Sequence, residues 1–268
     1  MGSIKVEEII IYPIKGCRGV QVDKANLTSM GIEGDREFTL LLEGKIVNQS
    51  ILPSLAKLGA RYLEPTTMEL TYPGAQTITF NTAGTSRLDT MVVIGQTIRI
   101  LLMEERVSNW LSEALGRQVE LAKMNDSMNW HIPFGEFDGI NDIQQSKFVD
   151  ASPLLLTNRA SLEDLNRRMS DSVPMDRFRA NIVVSGLNAY EEDVFAEFVF
   201  SDVSLRRVTV CERCIVTTTD QETAIRAKEP LLTLSKYRKR KEGYAGGIMF
   251  GMYLTVLESG VLCVGDSV

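Results

Sequence analysis

Two cysteines flank a glutamate and an arginine in Val210-Cys211-Glu212-Arg213-Cys214-Ile215-Val216-Thr217-Thr218-Thr219-Asp220. Thiolates ligate soft or high-valent metals and carry redox chemistry. Arginine and threonine suit an anion such as phosphate. Few structural roles ask for both chemistries, and three readings stand. A structural zinc site needs four ligands, and beyond this pair only Cys17, Cys263 and His131 remain among thiols and imidazoles. A thioredoxin-like dithiol wants a βαβ context and a helix after the first cysteine; the β-branched run from Ile215 to Thr219 argues against that helix. The third reading is a single thiolate ligand to a metal-bearing cofactor, with the other cysteine as its neighbour. Spacing alone does not choose.

Other polar signals are scattered. Lys15 lies in the glycine loop Pro13-Ile14-Lys15-Gly16-Cys17-Arg18-Gly19, and Arg36 follows the turn Gly31-Ile32-Glu33-Gly34-Asp35. Arg177-Phe178-Arg179-Ala180-Asn181 sets two arginines and an amide before an apolar run, and Ser152 precedes Pro153 and Leu154 to Leu156. Each alone is an ordinary surface or turn residue. Their common type points to an anionic ligand held by several loops. The basic run from Lys236 to Lys241 reads as a solvated face that can also dock an acidic partner. The one histidine, His131, reads as structural in Trp130-His131-Ile132-Pro133-Phe134; its solitude excludes a multi-histidine metal site.

Bulk properties set the frame. The chain has 268 residues, 44% hydrophobic and 24% charged, which is ordinary for a globular core. A net charge of −6 leaves no electrostatic footprint for nucleic acid. No apolar run is long enough to span a bilayer, and the N-terminus runs into a strand pattern rather than a signal peptide. A cytoplasmic protein with reduced cysteines is expected, with neither nucleic acid nor membrane as a partner.

The elements that must carry these residues are mostly short strands. Apolar runs predict strands at Ile4–Tyr12, Val20–Leu27, Phe38–Leu42, Met68–Tyr72, Gln76–Phe80 and Met91–Ile94, with a hairpin turn at Gly95-Gln96 leading into Thr97–Leu102. Further runs lie at Asn181–Ser185, Phe195–Phe200, Val203–Val210, Phe250–Leu257 and Val261–Val264. Val107, Trp110, Leu111, Ala114 and Leu115 predict a helix stopped by Gly116, and Ser161 to Asp164 resembles a capping box opening a second. Residues 125–149 read as a long lid or boundary loop. The expected fold is mainly β with a few helices (α+β), built as two β-barrel-like domains over 1–124 and 125–268. Alternating βα units are absent from the pattern, which excludes a doubly wound sheet.

With these residues laid out, the sequence resembles the MOSC family, preceded by its N-terminal β-barrel partner, over nearly the whole chain. The resemblance rests on Ile11 to Gly19 with Gly34-Asp35-Arg36, on Asp150-Ala151-Ser152-Pro153-Leu154, and on Ala160-Ser161-Leu162-Glu163-Asp164-Leu165-Asn166. It rests most on Phe178-Arg179-Ala180-Asn181 and Cys211-Glu212-Arg213-Cys214-Ile215, with Glu229-Pro230-Leu231, Tyr237-Arg238 and Val264-Gly265-Asp266 in support. It implies a molybdenum ion on a pyranopterin dithiolene carrying a phosphate, with Cys214 as the metal ligand. It implies that Lys15, Arg36, Ser152, Arg179, Arg213 and Tyr253 hold the pterin and its phosphate. Gly16, Asn181 and Glu212 join that set, and Asp150 is a proton carrier beside it.

Three positions depart from the family pattern: Gly16 where Ser is frequent, Glu212 in place of a small hydroxyl residue, and Met252 in place of a polar one. The implied activity is reduction of small N-hydroxylated compounds to their N–H products. Taking the chain to end at Val268, its electrons come from a separate ferredoxin-, flavodoxin- or cytochrome-type protein. The alternatives are a cofactor or sulfur carrier without its own turnover and a zinc-stabilised β-barrel interaction module.

Overall fold

The structure is a computed structural model and describes residues 3–84, 86–93, 96–125, 147–240 and 247–268. Strands of the first half are β1 (Lys5–Ile11), β2 (Val20–Val22), β3 (Lys24–Thr28), β4 (Gly31–Ile32), β5 (Phe38–Leu42), β6 (Lys45–Val47), β7 (Gly59–Glu64), β8 (Thr67–Thr71), β9 (Ile78–Asn81), β10 (Arg87–Val93), β11 (Gln96–Leu102) and β12 (Glu120–Met124). The second half adds β13 (Leu154–Asn158), β14 (Ile182–Ser185), β15 (Glu197–Phe200), β16 (Val203–Glu212), β17 (Met249–Glu258) and β18 (Gly260–Cys263). The helices are α1 (Glu105–Leu115), α2 (Arg159–Arg167) and the single turn α3 (Leu231–Leu234).

A seven-stranded sheet in the order β15-β16-β17-β13-β14-β1-β2 organises the molecule. β10-β11-β12-β5-β6 form a second sheet, and β18-β3-β4 and β7-β8-β9 two small ones. The β-rich α+β architecture is as expected. The barrel closure is not: each order runs linearly from one edge to the other, and among the described residues no sheet closes on itself. Across the expected division at 124/125, β1 and β2 extend the sheet of the second half and β18 pairs with β3.

Three local expectations need correction. The run Val20–Leu27 breaks at Asp23 into β2 and β3, which enter different sheets. One βαβ unit is present, because β13 and β14 pair in parallel with α2 between them. Finally, α2 is capped by Asn158, whose side chain accepts from the Ala160 N–H, and not by Ser161. Ser161 lies inside the helix, where its hydroxyl donates to Glu192. Val93 pairs with Gln96, which begins β11, and Gly95 of the expected turn lies outside the described residues. His131 and most of the loop expected at 125–149 are also outside them.

Three apolar clusters hold the sheets together. Phe38, Leu40, Leu111, Phe178 and Phe250 anchor the largest, which joins β5, α1 and the second half of the chain. Burying each such side chain contributes roughly 1.5–3 kcal/mol. On α1 the expected face packs inward through Val107, Leu111 and Leu115, and Gly116 closes the helix at φ 65°. Trp110 packs partly buried against this cluster and gives its indole N–H to the Gln76 carbonyl, 2.7 Å away. The β16–β17 ladder has three register irregularities, the last between Val210 and Glu212. A bulge bends its strand and re-aims side chains, and this one directly precedes Arg213 and Cys214.

Candidate functional site

The end of β16 separates the two thiols. Cys211 is buried, whereas Cys214 is exposed and lies beyond the last bulge. The Arg213 N–H is fixed by the Ile248 carbonyl at 2.7 Å, and Cys214 leads into a four-residue 3-10 turn, Ile215–Thr218. The β-branched run thus does wind, for one tight turn. Its threonines do not serve an anion: Thr217 Oγ1 donates to the Cys214 carbonyl at 3.0 Å and Thr218 Oγ1 to that of Ile215 at 2.7 Å.

Cys214 opens onto a cleft lined also by Lys15, Gly16, Arg36, Asp150, Ser152, Arg179, Asn181, Glu212, Arg213 and Tyr253. Every residue that the family resemblance assigns to the site therefore meets at one place, although they come from loops far apart in the chain. Four of these residues are cations and two are carboxylates. Arg177 is not among them, because its guanidinium turns to the Thr218 carbonyl and to Asp220.

The cations are individually fixed. Arg36 is paired with buried Asp35 and donates to Asn181 Oδ1 at 2.8 Å. Arg179 donates to the Cys17 carbonyl at 2.6 Å. Both have left-handed backbones, φ 47° and φ 54°, which cost about 1–3 kcal/mol each in non-glycine residues and concentrate at functional sites. Their guanidinium carbons lie 4.5 and 4.2 Å from the centroid of the Tyr12 ring, so one aromatic face system is shared by two cations. Burial works against the Arg36 charge, and Asp35 more than offsets it, so its pKa is raised. Burial holds Arg179 below its ordinary value, and Arg36 adds to that.

Lys15 Nζ lies 2.5 Å from Asp150 Oδ1 and also donates to the Phe148 carbonyl. Lys15 holds the Asp150 carboxyl below the usual carboxylate range. The Asp150 side chain is itself 74% exposed, so solvent screens the pair. Arg213 donates to Cys211 Sγ at 2.9 Å and to the Phe178 carbonyl at 2.6 Å, while its Nε is buried without a partner. Burial pushes the Cys211 thiol up, with Arg213 opposing. Glu212 is exposed, and Arg213 directs its Nη atoms elsewhere. Ser152 Oγ donates to the Leu254 carbonyl at 2.7 Å. Asn181 accepts from Arg36 and the Leu155 N–H and donates to the Ile10 carbonyl, so it braces the wall. Gly16 has φ 87°, a conformation that favours glycine. Met252 is fully buried in the second apolar cluster and does not line the cleft.

These motifs also fix the family. The profile for the MOSC domain matches residues 144–268, and that for the MOSC N-terminal beta barrel domain matches residues 3–118. The chain is 33% identical over 276 residues to the mitochondrial amidoxime reducing component 2 of Bos taurus, covering 98% of this chain and 82% of the relative. The chain belongs to the MOSC family. The MOSC protein is also 33% identical to the mitochondrial amidoxime-reducing component 1 of Homo sapiens, over 98% of this chain and 82% of that one. It is 30% identical to the molybdenum cofactor sulfurase of Oryza sativa subsp. japonica over 95% of this chain, which is 33% of the larger relative. Among solved structures, the YUAD protein from Bacillus subtilis aligns over 99% of this chain and 93% of its own at TM-score 0.42 and 12% identity.

Sequence reasoning missed the support around the MOSC cleft. Tyr12, Asp35, Asn48, Gln49 and Phe148 either line it or fix its cations. Asp35 could have been found as the acidic neighbour of Arg36, but Tyr12 reads only as the last residue of a strand. No group of three or more His, Cys, Asp or Glu is arranged to hold a metal among the described residues. Thus a closed zinc site of clustered cysteines finds no support in them. No helix among the described residues is long and apolar enough to cross a membrane.

Proposed function

We propose that this protein is an oxidoreductase that reduces N-hydroxylated compounds, using a molybdenum ion carried on a phosphate-bearing pyranopterin dithiolene. One observation carries the reading: a single exposed thiol, Cys214, opens onto a cleft lined by Lys15, Arg36, Arg179 and Arg213. The donor set fits such a group. A soft thiolate suits the metal, the cations suit the phosphate, and the buried Arg213 Nε is a donor still lacking an acceptor. The names of the amidoxime-reducing relatives supply the substrate class.

Cys214 would hold the metal. Lys15, Arg36, Arg179 and Arg213 would balance the cofactor's negative charge, with Gly16, Ser152, Asn181, Glu212 and Tyr253 completing the wall. When bound, the cofactor supplies a centre able to exchange two electrons and an oxygen atom. The net reaction, R–NHOH + 2e⁻ + 2H⁺ → R–NH₂ + H₂O, requires an external reductant and two protons. The Lys15–Asp150 pair stands at the rim for the protons. Lys15 keeps Asp150 ionised, so the pair would orient a solvent proton donor at the rim rather than supply a carboxylic-acid proton itself. Electrons would come from a separate ferredoxin-, flavodoxin- or cytochrome-type protein.

The test is protein made in a host that synthesises the cofactor. Molybdenum and pterin should co-purify, and reduced methyl viologen should support conversion of an amidoxime to an amidine. Cys214→Ala should lose the metal and the activity while retaining the fold; full molybdenum loading of that variant overturns the assignment. The similarity to a molybdenum cofactor sulfurase favours a second reading, carriage of cofactor or sulfur without turnover. Bound pterin or a persulfide on Cys214, with no amidoxime reduction, would select it.

A further inference from the structure

A packed line of aromatic rings leaves the cleft and ends on a basic surface. Phe178 lines the cleft and stacks on Phe250, centroids 3.9 Å apart and planes at 21°. Phe250 meets Tyr190 edge-on at 6.3 Å, and Tyr190 meets Tyr237 at 5.9 Å with their hydroxyls 2.6 Å apart. Phe178 and Phe250 are wholly buried, while Tyr190 and Tyr237 are partly exposed. The outer end is cationic. Arg168 lies 4.3 Å from the Tyr237 ring centroid, Arg238 lies 4.4 Å from that of Tyr190, and Lys236 and Lys239 flank Tyr237 in sequence and are exposed. Beside them, Leu232 on α3 is 47% exposed.

The two arginines that touch the rings are already paired, Arg168 with Asp164 and Arg238 with Asp193. The exposed Lys236 and Lys239, with half-buried Arg240, make the Tyr237 end of this face locally basic on a chain whose overall charge is −6, while Glu191 and Asp193 adjoin its Tyr190 end. Such a local reversal of sign steers an acidic partner and orients it, more than it adds affinity.

We infer that this face, centred on Tyr237 and ringed by Lys236, Lys239 and Arg240, is where an acidic one-electron carrier protein docks to supply the reductase. The inference rests on the proposed reductase activity and names its partner surface. The carrier is oxidised by one electron in each of two encounters, and those two electrons with two protons balance the reduction of one N–OH group to N–H and water. The ring line favours this face: among the described residues, contiguous aromatic packing from Tyr237 and Tyr190 through Phe250 to Phe178 joins it to the wall of the cleft.

The experiment measures binding and turnover separately. An acidic ferredoxin, a flavodoxin and a cytochrome b5-type haem domain serve as probes, with Kd read by calorimetry at low and high salt. At least one should bind with a Kd that rises with salt, and the triple variant Lys236→Glu, Lys239→Glu, Arg240→Glu should weaken it at least tenfold. Charge reversal on a distant strand, Arg61→Glu, should leave it unchanged. With methyl viologen as reductant the triple variant should match the parent, and with the bound carrier it should lose most turnover. Equal binding by parent and triple variant, or no binding by any probe, overturns the docking face. So does a preference of the parent for vesicles of anionic lipid over all three proteins. Absence of viologen-driven turnover in the parent overturns the reductase reading itself, and the docking role falls with it.

Discussion

Arg213 donates to the sulfur of Cys211 over 2.9 Å while the other thiol of the pair, Cys214, faces the cleft. The C-x-x-C spacing is therefore not a symmetrical dithiol. Cys211 is an acceptor that orients an arginine, and Cys214 is the group free to meet a ligand. Cys211→Ala should destabilise the fold by about 1–3 kcal/mol, from a lost buried contact and an Arg213 Nη1 left without its acceptor. It should nonetheless retain molybdenum. Cys214→Ala, at an exposed position, should shift stability by no more than about 0.5 kcal/mol and lose the metal. Chemical denaturation together with elemental analysis separates the two.

Tyr12 holds two cations on one ring and donates its hydroxyl to the Ala180 carbonyl. Tyr12→Leu should cost about 2–4 kcal/mol, because it removes a buried hydrogen bond, two cation–π contacts and packing volume. Tyr12→Phe keeps the ring and should cost about 1 kcal/mol. Urea unfolding of the three proteins checks the order; equal losses in both variants would mean that the hydroxyl alone matters.

Asp150 is held below the usual carboxylate range by Lys15. A depressed carboxyl stabilises the fold above its unfolded value, about 3.9, and that contribution is lost as pH falls through the folded value. Because the side chain is largely exposed, the contribution should stay under about 1 kcal/mol. Asp150→Asn should therefore barely change stability at neutral pH, yet slow viologen-driven turnover at least tenfold if the pair moves protons. A rate equal to the parent's would remove Asp150 from the proton path.

Glu192 behaves in the opposite sense. It is fully buried, and burial raises its pKa although Ser161 and Asn158 donate to it. A raised carboxyl gives stability that is complete below the unfolded value, about 4.3, and is lost as pH rises through the folded one. Glu192→Gln should flatten the pH dependence of stability across that window. Thermal unfolding followed from pH 4 to pH 8 in parent and variant reads it directly.

Much was fixed locally. Apolar runs interrupted by glycine turns named most strands, because period and turn chemistry are local properties of the chain. The helix stop at Gly116 follows from the same rules, as do the runs that become β15 and β16. Residue types alone supplied the anion-binding cations and the thiol, and motif resemblance gathered them into one site.

What only the tertiary structure decided was contact across distance. Whether Asn158 or Ser161 caps α2 depended on Glu192 claiming the Ser161 hydroxyl from 31 residues away. Tyr12 became the shared platform of Arg36 and Arg179, residues 24 and 167 positions along, only because β1 pairs with β14. The sequence by itself determined that a thiol and several cations were available. Folding decided which thiol faces them, because a bulge at the end of β16 buries Cys211 against Arg213 and turns Cys214 outward.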